Sequence, residues 1–105
     1  MKPADLARIT IVQTPAIAQA TADPDTMQYV QRCLFRCFSG DWGIVPAQDA
    51  ETNNAELATG EGRILAAYPQ QGKLTGKIWI IAYFSESRPE DVNCNYTTIL
   101  YPEEY

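Results

Sequence analysis

The sequence of 105 residues contains no histidine. This absence removes the side chain that most often acts as a general acid or base near neutral pH, and it excludes Ser–His–Asp and Cys–His catalytic arrangements within the chain. Cysteine is also scarce, because Cys33, Cys37 and Cys94 form an odd set that is not typical of a secreted disulfide scaffold. We therefore expect reduced thiols and a cytoplasmic protein.

Long apolar runs are missing as well. The most apolar stretch, residues 78–84, is far too short to span a bilayer. The N-terminal residues lack the apolar region and cleavage site of a secretory signal peptide. The length fits one domain over residues 1–105. We expect no membrane partner and no cofactor.

Basic residues are few, with eight Lys and Arg against thirteen Asp and Glu and a net charge of −5. This balance disfavours plain nucleic-acid binding, which normally needs a basic surplus. The acidity falls into two blocks, residues 38–72 and residues 85–105, which flank the most apolar segment. The blocks serve solubility alone or form a binding surface for a basic partner, and the sequence leaves both interpretations open.

Local patterns predict an α+β chain. Alternating β-branched residues over 8–12 predict a strand, and the pairs Thr14-Pro15 and Asp23-Pro24 predict the starts of a short helix over 16–20 and a long helix over 24–38. A polar helix is expected over 47–58, and strands over 63–68, 77–84 and 96–101. We expect a small antiparallel sheet, made of the three C-terminal strands and the N-terminal strand, packed against two or three helices.

The tetrapeptide Gly40-Asp41-Trp42-Gly43 allows two interpretations. In the first, Trp42 folds back into the core while the Asp41 carboxylate accepts backbone N–H groups of the turn. In the second, Trp42 is an exposed aromatic anchor for a partner, since tryptophan is enriched at interface hot spots. The first interpretation is favoured.

Two groups of residues on predicted helices have spacings that would allow a catalytic, redox or metal-binding role. Asp49, Asn53 and Glu56 share one helix face, which we expect to be solvated rather than catalytic because carboxylates need burial to separate their pKa values. Cys33 and Cys37 are four residues apart, which favours packing as small apolar side chains. A redox pair with Cys94 is the alternative, and no metal site is expected without histidine.

Several short motifs follow one another along the last two-thirds of the sequence, and their order carries a resemblance. They are Gly40-Asp41-Trp42-Gly43; Asp49, Asn53 and Leu57; Arg63-Ile64-Leu65 with Ala67-Tyr68; Ile78-Trp79-Ile80-Ile81; and Thr97-Thr98-Ile99-Leu100 with Pro102-Glu103-Glu104-Tyr105. This ordered set resembles a family of small proteins from bacterial plasmids, conjugative elements and phages. The resemblance implies a cytoplasmic protein of a mobile element and implies no reaction.

The chain departs from that family pattern at two places. Ile44 stands where an acidic residue usually follows the tryptophan–glycine pair, and residues 84–95 replace a shorter acidic–arginine turn. The longer loop is a place where a contact specific to this lineage would be added.

These observations lead to a functional hypothesis. We expect a non-enzymatic protein that binds a host protein and inhibits a nucleic-acid-targeting defence system, in the manner of anti-restriction or anti-CRISPR proteins. Acidic side chains would occupy a basic channel of the target in competition with phosphates. The candidate partner-binding residues are Asp41, Trp42, Asp49, Asn53, Glu56, Glu86, Glu90, Asp91, Glu103 and Glu104.

Two other function classes remain open. A small toxin-like ribonuclease would use arginine and lysine to stabilise developing phosphorane charge, with the candidate set Arg63, Tyr68, Lys77, Arg88 and Tyr96. A regulatory module would bind DNA as a dimer through the stripe of Arg32 and Arg36 on the long helix.

Overall fold

The computed structural model describes residues 10–88, 91 and 95–105. The elements over these residues are β1 (Thr10–Gln13), α1 (Pro15–Thr21), α2 (Pro24–Phe38), α3 (Ala47–Thr59), β2 (Glu61–Tyr68), β3 (Ile78–Ser85), β4 (Tyr96–Leu100) and a C-terminal 3₁₀ turn (Pro102–Glu104). The predicted α+β class is confirmed. Residues 8 and 9 of the predicted first strand lie outside the described residues.

The four strands form one sheet in the order β1-β4-β3-β2. The strands β2, β3 and β4 pair antiparallel, as expected, with Glu61 opposite Ser85 and Trp79 opposite Leu100. The N-terminal strand differs from the expectation, because β1 runs parallel to β4 and makes the sheet mixed. Parallel neighbours need a long crossover connection, and here the chain from α1 to β3 provides it.

Both predicted helix starts are confirmed by their caps. The Ile17 N–H donates to Thr14 Oγ1 at 3.3 Å, and the Thr26 N–H donates to Asp23 Oδ2 at 3.0 Å. The Thr26 hydroxyl also donates to Asp23, and these two bonds hold the pKa of the Asp23 carboxyl below its usual range. Proline in the first turn fits both helices because the first N–H groups of a helix have no intrahelical partner.

One face of the sheet forms the hydrophobic core with α1 and α2. The buried side chains of α2 include Val30, Cys33, Cys37 and Phe38, and they belong to one cluster with Ile80 of β3. The packing interpretation of Cys33 and Cys37 is confirmed, since both thiols are free and buried. Burial raises the pKa of the Cys37 thiol to about 12. Cys94 lies outside the described residues.

The opposite face of the sheet carries an aromatic layer. Tyr83 and Tyr96 lie side by side on β3 and β4 and stack with their ring centroids 4.8 Å apart. Trp79 meets Tyr105 edge-on at 5.8 Å, so the end of the C-terminal turn packs on this face. Such ring pairs add to the stabilisation that burial of their area gives.

Candidate protein-binding surface

The helix α3 carries three acidic side chains and no Lys or Arg. Its core contact is narrow, because only Asn53 is fully buried, while Ala50 and Leu57 are half-buried. Most of the helix surface is therefore exposed and negative. The sequence predicted this helix over 47–58, and its polar face is confirmed except at Asn53.

Asn53 corrects the sequence-based expectation. Its side chain is 3% exposed, so it cannot be an exposed partner contact. Its amide donates to the Leu65 carbonyl at 2.8 Å, and the Leu65 N–H donates back to the Asn53 carbonyl at 3.1 Å. The Asn53 side chain therefore gives the N–H and carbonyl of Leu65 the two hydrogen bonds that a neighbouring strand would otherwise supply, because buried backbone groups need partners. This paired bond joins α3 to the outer edge of β2.

Trp42 is buried at 6% exposure, which confirms its interpretation as a core residue and overturns its alternative as an exposed anchor. The indole N–H donates to Asn54 Oδ1 of α3 at 3.0 Å. The Trp42 carbonyl accepts the Ala67 N–H at 3.1 Å, and the Ile44 N–H donates to the Ala67 carbonyl at 2.8 Å. The segment 42–44 thus covers the β2 edge at Ala67.

Asp41 fixes the loop that delivers Trp42, as its sequence position suggested. Its carboxylate accepts the Arg36 Nε–H at 2.8 Å and the Gly43 N–H at 3.1 Å. The bond from Arg36 is the main reason that the pKa of the Asp41 carboxyl lies below its usual range. Asp41 remains exposed, but its charge is already paired with an arginine inside the fold.

Three further carboxylates meet where α3 leads into β2. Gly60 ends α3 in the left-handed region at φ +77°, and a Cβ atom there would lie 2.9 Å from the Glu86 carboxylate. A Cβ atom on Gly62 would overlap the Glu56 carboxylate. These glycines therefore let Glu56 and Glu86 lie directly over the backbone, with Glu61 between them in sequence.

Glu61 is held by hydroxyl groups. Ser85 Oγ and Ser87 Oγ donate to Glu61 Oε1 at 2.7 and 2.8 Å, and these bonds keep the pKa of the Glu61 carboxyl below its usual range. Asp49 lies two helical turns before Glu56 on the same side of α3. We call the set at this edge of the molecule the acidic surface; it consists of Asp49, Glu51, Glu56, Glu61 and Glu86.

The acidic surface is weakly compensated, since the charge of Arg88 helps to lower the pKa of the Glu61 carboxyl after the bonds from Ser85 and Ser87. Within the described part of the chain, the ion pairs are Arg36–Asp41 and Arg88–Asp91, and neither includes a member of the acidic surface. Glu51 and Glu61 were not singled out from the sequence. The signal that could have found them is the lack of any Lys or Arg from residue 47 to residue 62.

Glu103 and Glu104, the last members of the second acidic block, lie at the other end of the sheet from Glu86. Glu61 is opposite Ser85 at one end of β3, whereas Leu100, just before the C-terminal turn, is opposite Trp79 at the other end. Within that turn, Glu104 Oε1 accepts the Tyr101 N–H at 2.8 Å and the Thr14 hydroxyl at 3.0 Å. Glu104 thus ties the turn to the start of α1, while Glu103 is exposed. The structure therefore divides the second block, because Glu86 joins carboxylates of the first block while Glu103 and Glu104 lie apart from them.

The loop after β3 is fixed mainly by a residue that sequence reasoning missed. Asn95 accepts the Ser85 N–H at 3.2 Å and donates to the backbone carbonyls of Arg88 and Asp91. Arg88 lies 3.9 Å from the half-buried Asp91 carboxylate. The predicted binding residue Glu90 lies outside the described residues. Asn95 carries no motif that would have revealed this role.

The residues proposed for a ribonuclease do not converge. Tyr68 lies on the helix-covered face, where its hydroxyl donates to the Asp41 carbonyl at 2.7 Å and burial raises its pKa. Arg63 and Tyr96 lie on the opposite face, and the Arg63 guanidinium is 5.7 Å from the Tyr105 ring centroid. These five side chains therefore do not form one site.

The arginine stripe of α2 is partly engaged within the fold. Arg36 pairs with Asp41 and lies over the Tyr68 ring, with its guanidinium carbon 4.9 Å from the ring centroid. Arg32 lies 6.0 Å from the Tyr29 ring centroid. Arg36 therefore has a carboxylate partner within the fold, whereas Arg32 is exposed.

The comparisons with known proteins and a search of the described residues for metal ligands both give negative results. Comparison of the chain with protein-family models, curated proteins and solved structures finds no match. Among the described residues, His, Cys, Asp and Glu side chains form no group of three that could hold a metal ion. The helices in this part of the chain are too short or too polar to cross a membrane.

Proposed function

We propose that this chain is a non-enzymatic binding protein whose acidic surface occupies the basic nucleic-acid channel of a host defence nuclease. The observation that carries the proposal is the concentration of five carboxylates at one edge of the molecule, none of which belongs to an ion pair among the described residues. The resemblance to proteins of mobile elements supports a target of this kind. The protein would act in the cytoplasm as an inhibitor.

Unpaired charge favours a partner over a purely internal role. Carboxylates that stabilise a fold are usually paired or hydrogen-bonded, as Asp41 and Asp23 are here. Glu56 instead lies near the C-terminal end of α3, where the helix dipole disfavours a negative charge. A basic partner would relieve this local repulsion, and complementary potentials would speed the encounter.

The attachment of α3 supports the same proposal. The bonds from Asn53 to Leu65 and from Trp42 to Asn54 hold the helix against the β2 edge from two directions. A surface on a rigid element loses little conformational entropy on binding. The three carboxylates on α3 are therefore prearranged, and Glu61 is held in place by its bonds from Ser85 and Ser87.

The test is protection of an invading phage in a host that carries a restriction or CRISPR system. Expression of the wild-type chain should raise the efficiency of plating. The double variant Asp49→Asn/Glu86→Gln should lower that protection by about tenfold or more, since each lost contact weakens the encounter. Its matched control is Asp25→Asn/Glu103→Gln, which removes the same net charge from a helix first turn and a loop away from the acidic surface.

The control should protect as well as the wild type. Equal loss in both double variants would show that net charge alone matters, and it would contradict a localised acidic surface. Absence of protection by the wild-type chain against every defence type tested would end the proposal of a defence inhibitor. Circular dichroism of each variant checks that the fold is intact.

A further inference from the structure

An open pocket of about 590 Å³ lies between α1, the start of α2 and the loop that joins β2 to β3. Ala16 and Ala20 of α1 line it together with Asp23, the cap of α2. Lys73 of the loop and Tyr101, which follows β4, line it as well. The volume falls within the range of pockets that hold small molecules, so the pocket has room for one.

Two polar groups of the pocket have hydrogen-bonding capacity that the fold does not use. Asp23 Oδ2 accepts the Thr26 N–H and hydroxyl at 3.0 and 2.8 Å, whereas Asp23 Oδ1 accepts no hydrogen bond from the described residues. The Tyr101 hydroxyl accepts the Thr75 N–H at 3.2 Å, but its own proton has no acceptor among these residues. Tyr101 is only 5% exposed, and a buried tyrosine hydroxyl usually has a partner. The pocket therefore offers one acceptor and one buried donor to a ligand.

The pocket also contains one charge of each sign. Lys73 and Asp23 are its charged side chains, and they are not among the ion pairs of the described residues. The Lys73 charge nevertheless acts on Asp23, because it adds to the lowering of that carboxyl's pKa after the bonds from Thr26. A ligand with a single charge would gain one attraction and one repulsion here, whereas a zwitterion gains two attractions.

We propose that this pocket binds a free α-amino acid with an apolar side chain. The ammonium group of the ligand donates to Asp23 Oδ1, and its carboxylate accepts the Lys73 ammonium and the Tyr101 hydroxyl. These bonds are charge-assisted and therefore stronger than bonds between neutral groups. The methyl groups of Ala16 and Ala20 cover the apolar side chain, because such small residues leave room for it and remove it from water.

The walls of the pocket are joined by hydrogen bonds of the fold itself. Thr26 Oγ1 accepts the Lys73 N–H at 2.9 Å while its hydroxyl donates to Asp23, so one threonine links the loop to the cap of α2. The bond from the Thr75 N–H to Tyr101 holds the same loop at a second point. A prearranged site loses little entropy on binding, but the contacts are few, so we expect half-saturation in the millimolar range.

NMR titration of the isotope-labelled full chain with L-leucine tests the site. L-Leucine should shift the backbone amides of Lys73 and Thr75 in a saturable way. N-Acetyl-L-leucine lacks the ammonium group and L-leucinamide lacks the carboxylate, so each should bind at least about tenfold more weakly. Glycine should bind at least about threefold more weakly, because it buries no side chain against the alanines. Absence of saturable shifts with leucine, or equal binding of leucine and any of these three probes, would overturn the proposal.

Two variants that each remove one charge locate the binding at this pocket. Lys73→Met keeps the length of the side chain, and Asp23→Asn keeps an oxygen that caps α2, so both should fold. Each should weaken leucine binding by at least about tenfold. The matched controls are Lys77→Met in the same loop and Asp25→Asn in the first turn of α2, which do not line the pocket and should bind leucine like the wild type. Unchanged affinity in either pocket variant, or an equal loss in its control, would contradict the site. Neither result would affect the plating test of the acidic surface.

Discussion

The two edges of the sheet differ in how their backbone groups are satisfied. At the β2 edge, the Asn53 amide serves both polar groups of Leu65, and the segment 42–44 serves those of Ala67. At the β1 edge, the outward groups of Ile11 and Gln13 have no partner among the described residues. Within the described residues, the chain covers the β2 edge at Leu65 and Ala67, whereas no strand pairs with the outer side of β1.

The difference in closure coincides with a difference in charge. The closed edge carries α3 and the acidic surface, while the open edge is a neutral strand. A closed edge cannot recruit a strand, so a partner there must recognise side chains. An open edge offers main-chain hydrogen bonds, and its lack of charge permits a close approach. The two edges therefore differ in charge as well as in closure.

The largest loss of stability is expected from a substitution at Gly43, which lies against the β2 edge at Ala67. This residue has φ +73°, and a Cβ atom there would overlap the Ala67 carbonyl and contact the Tyr68 ring. We expect Gly43→Ala to lower the free energy of unfolding in urea by about 4 kcal/mol, from backbone strain and the shift that the overlap forces.

Gly40 provides the matched control. It has a similar positive φ of +89°, but a Cβ atom there would meet no other atom within 4 Å. Gly40→Ala should therefore cost only the backbone strain, about 1–2 kcal/mol. Equal losses in the two variants would mean that the close approach at Ala67 does not matter for stability.

The next largest loss of stability is expected at Asn53, whose side-chain amide bonds to the backbone of Leu65 at the β2 edge. Asn53→Ala leaves the N–H and the carbonyl of Leu65 without their partners, and we expect a loss of about 2–3 kcal/mol in urea unfolding. Asn54→Ala is the control on the same helix, since it removes a single bond to the Trp42 indole and should cost about 1 kcal/mol. Amide exchange at Leu65 should accelerate only in the Asn53 variant. Unchanged exchange there would contradict the role of Asn53 in closing the edge.

The contrast between α2 and the two edges shows what the sequence could predict. The bounds of α2 were predicted correctly, because Asp23-Pro24 and the spacing of its apolar residues are local signals. Asn53 was misread because polar residues on a polar helix are normally solvated, and only the approach of β2 gives this amide its partners. The parallel pairing of β1 was missed for the same reason, since strand direction depends on the path of the whole chain.

The candidate surface was only partly predictable. Asp49, Glu56 and Glu86 were identified from charge blocks, and the structure brings Glu56 and Glu86 to the same end of β2. Charge counting could not separate them from Glu103 and Glu104, because the strand register places Ser85 and Leu100 at opposite ends of the sheet. Trp42 was correctly favoured as a core residue, since flanking glycines permit the turn that buries it.

A smaller, pH-dependent contribution to stability is expected from Asp41, which fixes the loop that delivers Trp42 to the β2 edge. Its lowered pKa means that the folded state favours the charged carboxylate. The stabilisation is present above the ordinary carboxyl pKa and is lost as the pH falls through the lowered value. Asp41→Asn should cost about 1 kcal/mol or less at pH 7, as expected for an exposed pair, and the difference from the wild type should shrink below about pH 4.

A double-variant cycle tests the cause of that pH dependence. In an Arg36→Gln background, Asp41→Asn should cost less at pH 7, because the guanidinium that holds the carboxylate is already gone. The measurement is urea unfolding of the four proteins at pH 7 and pH 3. A constant cost of Asp41→Asn in both backgrounds would assign the stabilisation to the Gly43 N–H instead.

The smallest effect is expected at the open edge, where proline distinguishes outward from inward backbone groups. Ile11→Pro removes an N–H that faces away from β4, so we expect a loss of less than about 1 kcal/mol in urea unfolding. Val12→Pro removes an N–H that faces β4 and should cost about 3 kcal/mol, because the ladder loses a bond and the ring meets the neighbouring strand. If the two variants are equally destabilised, the outer side of β1 is already paired within the chain. In that case both edges would be closed within the chain, and the contrast between them would not hold.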